Sequence, residues 1–254
     1  MKVVNQILFI LIMAIGSATF AQQVAEGTAF GSPPEFIAKM KMRADSLSSV
    51  LLTVRTDSTL VQTFVEYAEA WQVLNLDSAY NILLRARPLA IRTGMIAHEV
   101  KIISQIGAVF QERSDYMRAI AYYSEALELA EEHQLEEDVL EGFQRTLNLY
   151  FYLGYFAEAM KLSTRGLRIG EQRNDHALQA YYLNLIGFIY LRQNDIEQSE
   201  KHYRTYLALG EKLGDSVIIA DGYSNLAEVY TIKSNPQQAL AYLEQCLNIY
   251  LRLY

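Results

Sequence analysis

Four histidines, one cysteine and a crowd of carboxylates are the residues of this 254-residue chain whose types could do chemistry. The histidines are His98, His133, His176 and His202. Two imidazoles from one helix reach a common metal when they stand four residues apart, and no pair here has that spacing. His98-Glu99 opens like the helix of a zinc protease, but Ile102 stands where the second histidine belongs. Cys246 has no intrachain disulfide partner and no neighbour at Cys-x-x-Cys spacing to hold zinc or exchange electrons. It shares a small-residue column with Ala86 and Ala126, which predicts burial. Neither a Gly-x-Ser-x-Gly elbow nor a Gly-x4-Gly-Lys-Ser/Thr phosphate loop occurs. Glu131, Glu132, Glu136, Glu137, Asp138 and Glu141 gather round one connection, without the spacing of a calcium loop, and read as a solvated turn. The expectation is a chain with no catalytic residue, no metal site and no cofactor, and so not an enzyme.

Charge narrows the partners. With 22 Lys and Arg against 29 Asp and Glu, the net charge is −7, and the pI near 5.2 leaves no basic field to displace counterions from phosphates. Nucleic acid is therefore excluded as a partner of this segment, and the 18 Tyr and 10 Phe are assigned mainly to packing. A hydrophobic fraction of 51% with only 4 Pro calls for an ordered, packed chain.

The elements that must do the positioning are set by a period. Ala79, Ala119, Ala159, Ser199 and Ala239 succeed one another at 40 residues. Phe110, Tyr150, Tyr190 and Tyr230 keep the same interval, as do Gly107, Leu147, Gly187 and Ala227, and Leu127, Leu167, Leu207 and Leu247. Within a unit, Ile103, Ile106, Gly107 and Phe110 fall at i, i+3, i+4 and i+7, one face of a helix A. A break such as Ser114-Asp115, Asn194-Asp195 or Asn235-Pro236 then precedes a helix B, with Asp or Asn accepting from free N–H groups and Pro at the first helical position. Small residues opening helix B let the aromatic of helix A come close. One such pair cannot bury its apolar faces alone, so units must stack.

These columns resemble the tetratricopeptide repeat family. Ile106-Gly107-x-x-Phe110 with Asp115-Tyr116-x-x-Ala119 and Ala126-Leu127 carries the likeness, as does Ile186-Gly187-x-x-Tyr190 with Asn194-Asp195-Ile196. The resemblance departs in length, since the common unit is ~34 residues, and looks like the longer units of exported repeat regions in bacterial sensory proteins. It implies an all-α, right-handed superhelical solenoid of helix-turn-helix repeats. Five repeats are expected, at 56–95, 96–135, 136–175, 176–215 and 216–254, behind a capping helix at 35–55. Trp71 stands one residue off its aromatic column, so the first helix A should be shifted. Helix A segments of the family line a concave groove that binds peptides or extended protein segments. Carried over by column, the groove residues are Lys101, Gln105, Gln144, Arg145, Asn148, Tyr181, Asn184, Phe188, Asn225 and Glu228, with Ser104, Asp221 and Ser224 among their neighbours. The Lys and Asn grip on a terminal carboxylate used by some members is not transferred, because Ser104 and Ala108 stand at those places.

The N-terminus supplies an address. Lys2, the apolar run Ile7 to Ile15 and the small residues ending at Ala21 have the order of a secretory signal peptide, 1–21, followed by a flexible leader, 22–34. Removing Lys2 with it would leave a net charge of −8, and no later stretch is apolar enough to span a bilayer. The expected protein is an exported, periplasmic or envelope module that binds a protein or peptide, with its uncapped last repeat offering a surface for self-association. The alternative is the sensory region of a longer membrane-bound histidine kinase or transcriptional regulator.

Overall fold

The computed structural model describes residues 33–53 and 56–253. The expected signal peptide, and the leader before Pro33, lie outside the described residues. Eleven helices and no strand are present among the described residues: α1 (Pro34–Leu51), α2 (Asp57–Leu74), α3 (Leu76–Thr93), α4 (Ile96–Glu112), α5 (Tyr116–Glu132), α6 (Glu136–Leu153), α7 (Phe156–Gln172), α8 (His176–Arg192), α9 (Ile196–Leu213), α10 (Ser216–Ile232) and α11 (Pro236–Leu253). None of them is long and apolar enough to cross a membrane. The chain forms two compact units, Met1–Gly142 and Phe143–Tyr254, with the division inside α6. In the first, α1 packs on α2, and the antiparallel pairs α2/α3 and α4/α5 stack. In the second, α7 packs on α8, α8 pairs with α9, α9 packs on α10, and α10 pairs with α11. Each unit is a stack of helix pairs, the all-α repeat that the columns predict.

Twenty residues, half the sequence period, is the true metre of the backbone. Left-handed φ values recur at Gly94, Ser114, Gln134, Gly154, Asn174, Asn194, Gly214 and Ser234, each between 51° and 76°. At each turn the next residue's N–H reaches back five positions, as from Asp115 to the Phe110 carbonyl and from Asp195 to the Tyr190 carbonyl, both at 2.9 Å. That bond satisfies a carbonyl the helix end would otherwise leave open. The next helix is then capped by side chains: Asp115, Asp175, Asp195, Asp215 and Asn235 each accept from a backbone N–H two or three residues on. Met95 and Tyr155 stand at the same place without a side-chain cap, and the left-handed turn itself is missing between α2 and α3. Between α2 and α3 the single residue Asn75 does both jobs, its N–H closing on the Trp71 carbonyl at 2.7 Å and its side chain accepting from Ser78 N at 2.8 Å. With that shorter link, α2 starts 39 residues before α4, whereas Ile96, Glu136, His176 and Ser216 start at 40-residue intervals. The displaced Trp71 records this shift.

Packing explains the small columns. Ala79, Ala119 and Ala159 are fully buried, and Phe110 stacks on Tyr122 of the helix opposite at 5.3 Å. A contact in the other direction also exists: helix B aromatics sit on helix A glycines. A Cβ at Gly107 would lie 2.7 Å from the Tyr123 ring, and one at Gly187 would lie 2.6 Å from Tyr203. Where the column holds Leu147, its counterpart is the small Ser163; where it holds Ala227, the counterpart is Leu243. All eight residues are buried, so bulk moves from one helix to its partner across the pair. Successive repeats use the same device, with the buried Tyr182 ring seated on Gly166 of the preceding helix B. Cys246 is buried as its column predicts, and burial pushes its thiol up to about 11, so it is protonated and inert at neutral pH.

Candidate functional site: the helix A faces

Each helix A buries most of its girth and leaves one stripe at i, i+3, i+4 and i+7 open to some degree. In the second unit Gln144, Asn148, Tyr181, Phe188 and Glu228 are exposed, and Arg145, Asn184 and Asn225 are half-buried. In the first unit Lys101 is exposed but Gln105 is not: at 5% exposure it has left the surface.

Glu69 is the reason. Its carboxylate takes Lys101 Nζ at 2.8 Å and the Gln105 amide at 3.0 Å, while Arg43 of α1 closes on its other oxygen at 3.4 Å. Gln72 donates to the Gln105 carbonyl at 3.3 Å. The polar stripe of the first unit is thus bound into one network, and Lys101 and Gln105 serve its stacking. Column counting misses Glu69 because forty residues back from Ala108 lies Ala68; allowing for the shift signalled by Trp71 would have found it.

The second unit keeps its stripe open. Asn225 Nδ2 donates to Asn184 Oδ1 at 2.8 Å, joining α10 to α8. Whichever amide donates, the pair keeps N–H donors and a carbonyl acceptor side by side, and no further protein bond claims them. Beyond the pair, Phe188 meets Phe151 edge to face at 5.7 Å, and the Arg192 guanidinium lies over Phe188 at 5.9 Å. Phe151 and Arg192 continue the stripe by three and four residues, a step the count of candidates stopped short of. At the other end Tyr181 packs edge-on against the buried Tyr182 at 5.0 Å.

Two carboxylates border these groups on α10. Asp221 accepts from the Tyr250 hydroxyl at 3.1 Å. Burial raises its pKa above the ordinary carboxylate value, and that hydrogen bond only partly offsets the rise. Glu228 is raised too, again by burial, with Arg192 easing it. Neither forms an ion pair among the described residues, although Arg192 lies near enough to Glu228 to favour its charged form. By contrast, the turn-edge carboxylate Glu200 is held down at about 2: burial opposes this, but hydrogen bonds from Lys233, Tyr230 and Arg204 win. No group of three His, Cys, Asp or Glu residues among the described residues is arranged to hold a metal ion.

Residues 177–252 match the tetratricopeptide repeat family. Over that stretch, α8 to α11, the chain is similar to that family. Solved structures carry the same fold at low identity. BtubC (BKLC) from P. vanneervenii is 19% identical, with 86% of this chain and 91% of that one aligned at a TM-score of 0.70. The apo form of RapI is 13% identical over 97% of this chain and 76% of its own, TM-score 0.68. A STAND signal-transduction ATPase of Pyrococcus horikoshii, which has a tetratricopeptide repeat sensor, is 14% identical over 96% of this chain and 41% of its own, TM-score 0.62. Among curated proteins none matches the sequence.

Proposed function

We propose that this tetratricopeptide repeat protein is a non-catalytic binding module that holds an extended protein segment on the helix A face of its second unit. The observation that carries the reading is the Asn184–Asn225 pair. A hydrogen bond between two side chains on successive repeats fixes both amides, and the groups left over form the donor and acceptor set that an extended backbone satisfies with its own C=O and N–H. Fixing the side chains before the ligand arrives lowers the entropy lost on binding. Tyr181, Phe188 and Phe151 offer apolar surface on either side of the pair, and Gln144, Arg145 and Asn148 extend the polar part of the face. A partner recovered by pull-down should lose at least about tenfold in affinity for Asn184→Ala combined with Asn225→Ala, while the helical circular dichroism of the variant stays intact. A double variant that binds as the parent does overturns the assignment of this face.

The order of charged, apolar and small residues over Met1 to Ala21 supports export with cleavage after Ala21 and residence in the periplasm or envelope. Mass spectrometry of the envelope fraction should find an N-terminus at or beside Gln22; an intact Met1 on soluble cytoplasmic protein overturns it. A sensory role in a longer signalling protein is the second reading, favoured by the likeness to the Pyrococcus horikoshii ATPase, whose own repeats are a sensor. A reading frame that runs beyond the Tyr254 codon into a membrane span and a kinase or regulator domain decides for it.

A further inference from the structure

Resting on the peptide-binding reading above, we infer that the second unit selects a cationic ligand: an extended peptide bearing two basic side chains, one for Asp221 and one for Glu228. Asp221, Ser224, Asn225 and Glu228 stand at i, i+3, i+4 and i+7 on α10, so the two carboxylates share one face with the Asn225 amide between them. Seven residues of helix rise about 10.5 Å. In a polyproline II chain, side chains three apart share a face and lie about 9.3 Å apart, so basic residues three apart match the two acids while the main chain between them, free of internal hydrogen bonds, meets the amide pair. The helix A of the preceding repeat, α8, places an aromatic in the equivalent column on each side: Tyr181 answers Asp221, and Phe188 answers Glu228. A ring face and a carboxylate in adjoining columns suit a Lys or Arg side chain, whose charge meets the acid while its stem or guanidinium lies on the ring. Arg192 over Phe188 at 5.9 Å is an intramolecular instance of the second half of that contact.

The charges on α8 and α10 agree: the stripe there carries Asp221 and Glu228 against Arg192, while Arg145 stands one repeat away on α6. In the first unit the corresponding groups pair with one another, Lys101 and Arg43 on Glu69 and Arg43 also on Glu66. The ligand's cations would supply the ion pairs that Asp221 and Glu228 lack within the fold.

A random octapeptide library displayed on phage and panned against the full chain tests this. The expected result is enrichment of Lys or Arg at two positions three apart, and binding of the enriched sequences, made as fluorescein-labelled peptides, that falls at least tenfold for Asp221→Asn combined with Glu228→Gln. Those replacements keep the shape and one carbonyl acceptor and remove the charge. Enriched peptides that are neutral or acidic, with binding still lost in Asn184→Ala plus Asn225→Ala, overturn the cationic ligand and leave the peptide groove standing. Enriched peptides insensitive to the Asn double variant, or no enrichment at all, overturn the groove and the cationic ligand together.

Discussion

The two units carry the same repeat and treat its open stripe in opposite ways. Phe143–Tyr254 holds 11 basic and 11 acidic residues, so the entire net charge of −7 falls on Met1–Gly142. Yet the first unit spends its groove charges internally, through Arg43, Glu69, Lys101 and the buried Gln105. The second unit, neutral as a whole, leaves two half-desolvated acids, an amide pair with spare donor and acceptor, and two aromatics facing out. Net charge therefore does not report where a charged ligand binds; the pairing of charges on the face does.

The largest effect expected in testing that contrast is on stability. A methyl group at Gly166 would be driven into the buried Tyr182 ring, whereas one at Gly142 of the first unit meets Leu127 at an ordinary 3.4 Å. Gly166→Ala should cost ~2–3 kcal/mol by overpacking, and Gly142→Ala should be neutral or gain up to ~1 kcal/mol from helix propensity; thermal unfolding of both measures it. Equal melting temperatures would mean that the second unit is not tightly seated at α7 and α8.

Glu69→Ala comes next. It leaves the buried Gln105 amide without its acceptor, which should cost ~1–3 kcal/mol. If the first unit's network is purely structural, the same variant should change peptide affinity by less than about twofold. A stable Glu69→Ala protein that loses its ligand would move the binding face into the first unit.

Acid should separate binding from stability. Asp221 and Glu228 have raised pKa values in the fold, so protonating them as pH falls favours the folded state. The same protonation removes the charges proposed to hold a cationic ligand, so affinity should fall as pH drops through their raised values. Tyr250, Tyr206, Asp215 and Cys246 face Asp221, and Arg192 and Tyr203 face Glu228. Glu200 has the opposite sign: its contribution to stability is present above the ordinary value of 4.5 and is lost as pH falls towards about 2. Affinity that stays flat while stability changes would break the link between the two acids and the ligand. The smallest expected effect is at a turn: Gln134 holds φ at 56°, a conformation glycine adopts freely, and Gln134→Gly should stabilise by ~0.5–1 kcal/mol without touching either face.

Sequence alone determined the repeat, because burial on a helix is periodic and the columns of Ala79 to Ala239 and Phe110 to Tyr230 have to recur if equivalent contacts do. It also determined the Asp and Asn caps and the buried Cys246, which depend on neighbours within a few residues or on one column. Most of the open stripe followed by counting. Which of those residues stay available did not, because pairing joins residues 32 to 41 apart: Glu69 captures Lys101 and Gln105 through a register shift of one, and Asn184 finds Asn225 one position off the repeat. A one-residue offset turns a helix by about 100°, which decides between an occupied and an open hydrogen-bonding group. Only the tertiary structure, which fixes the helices against one another, could settle that.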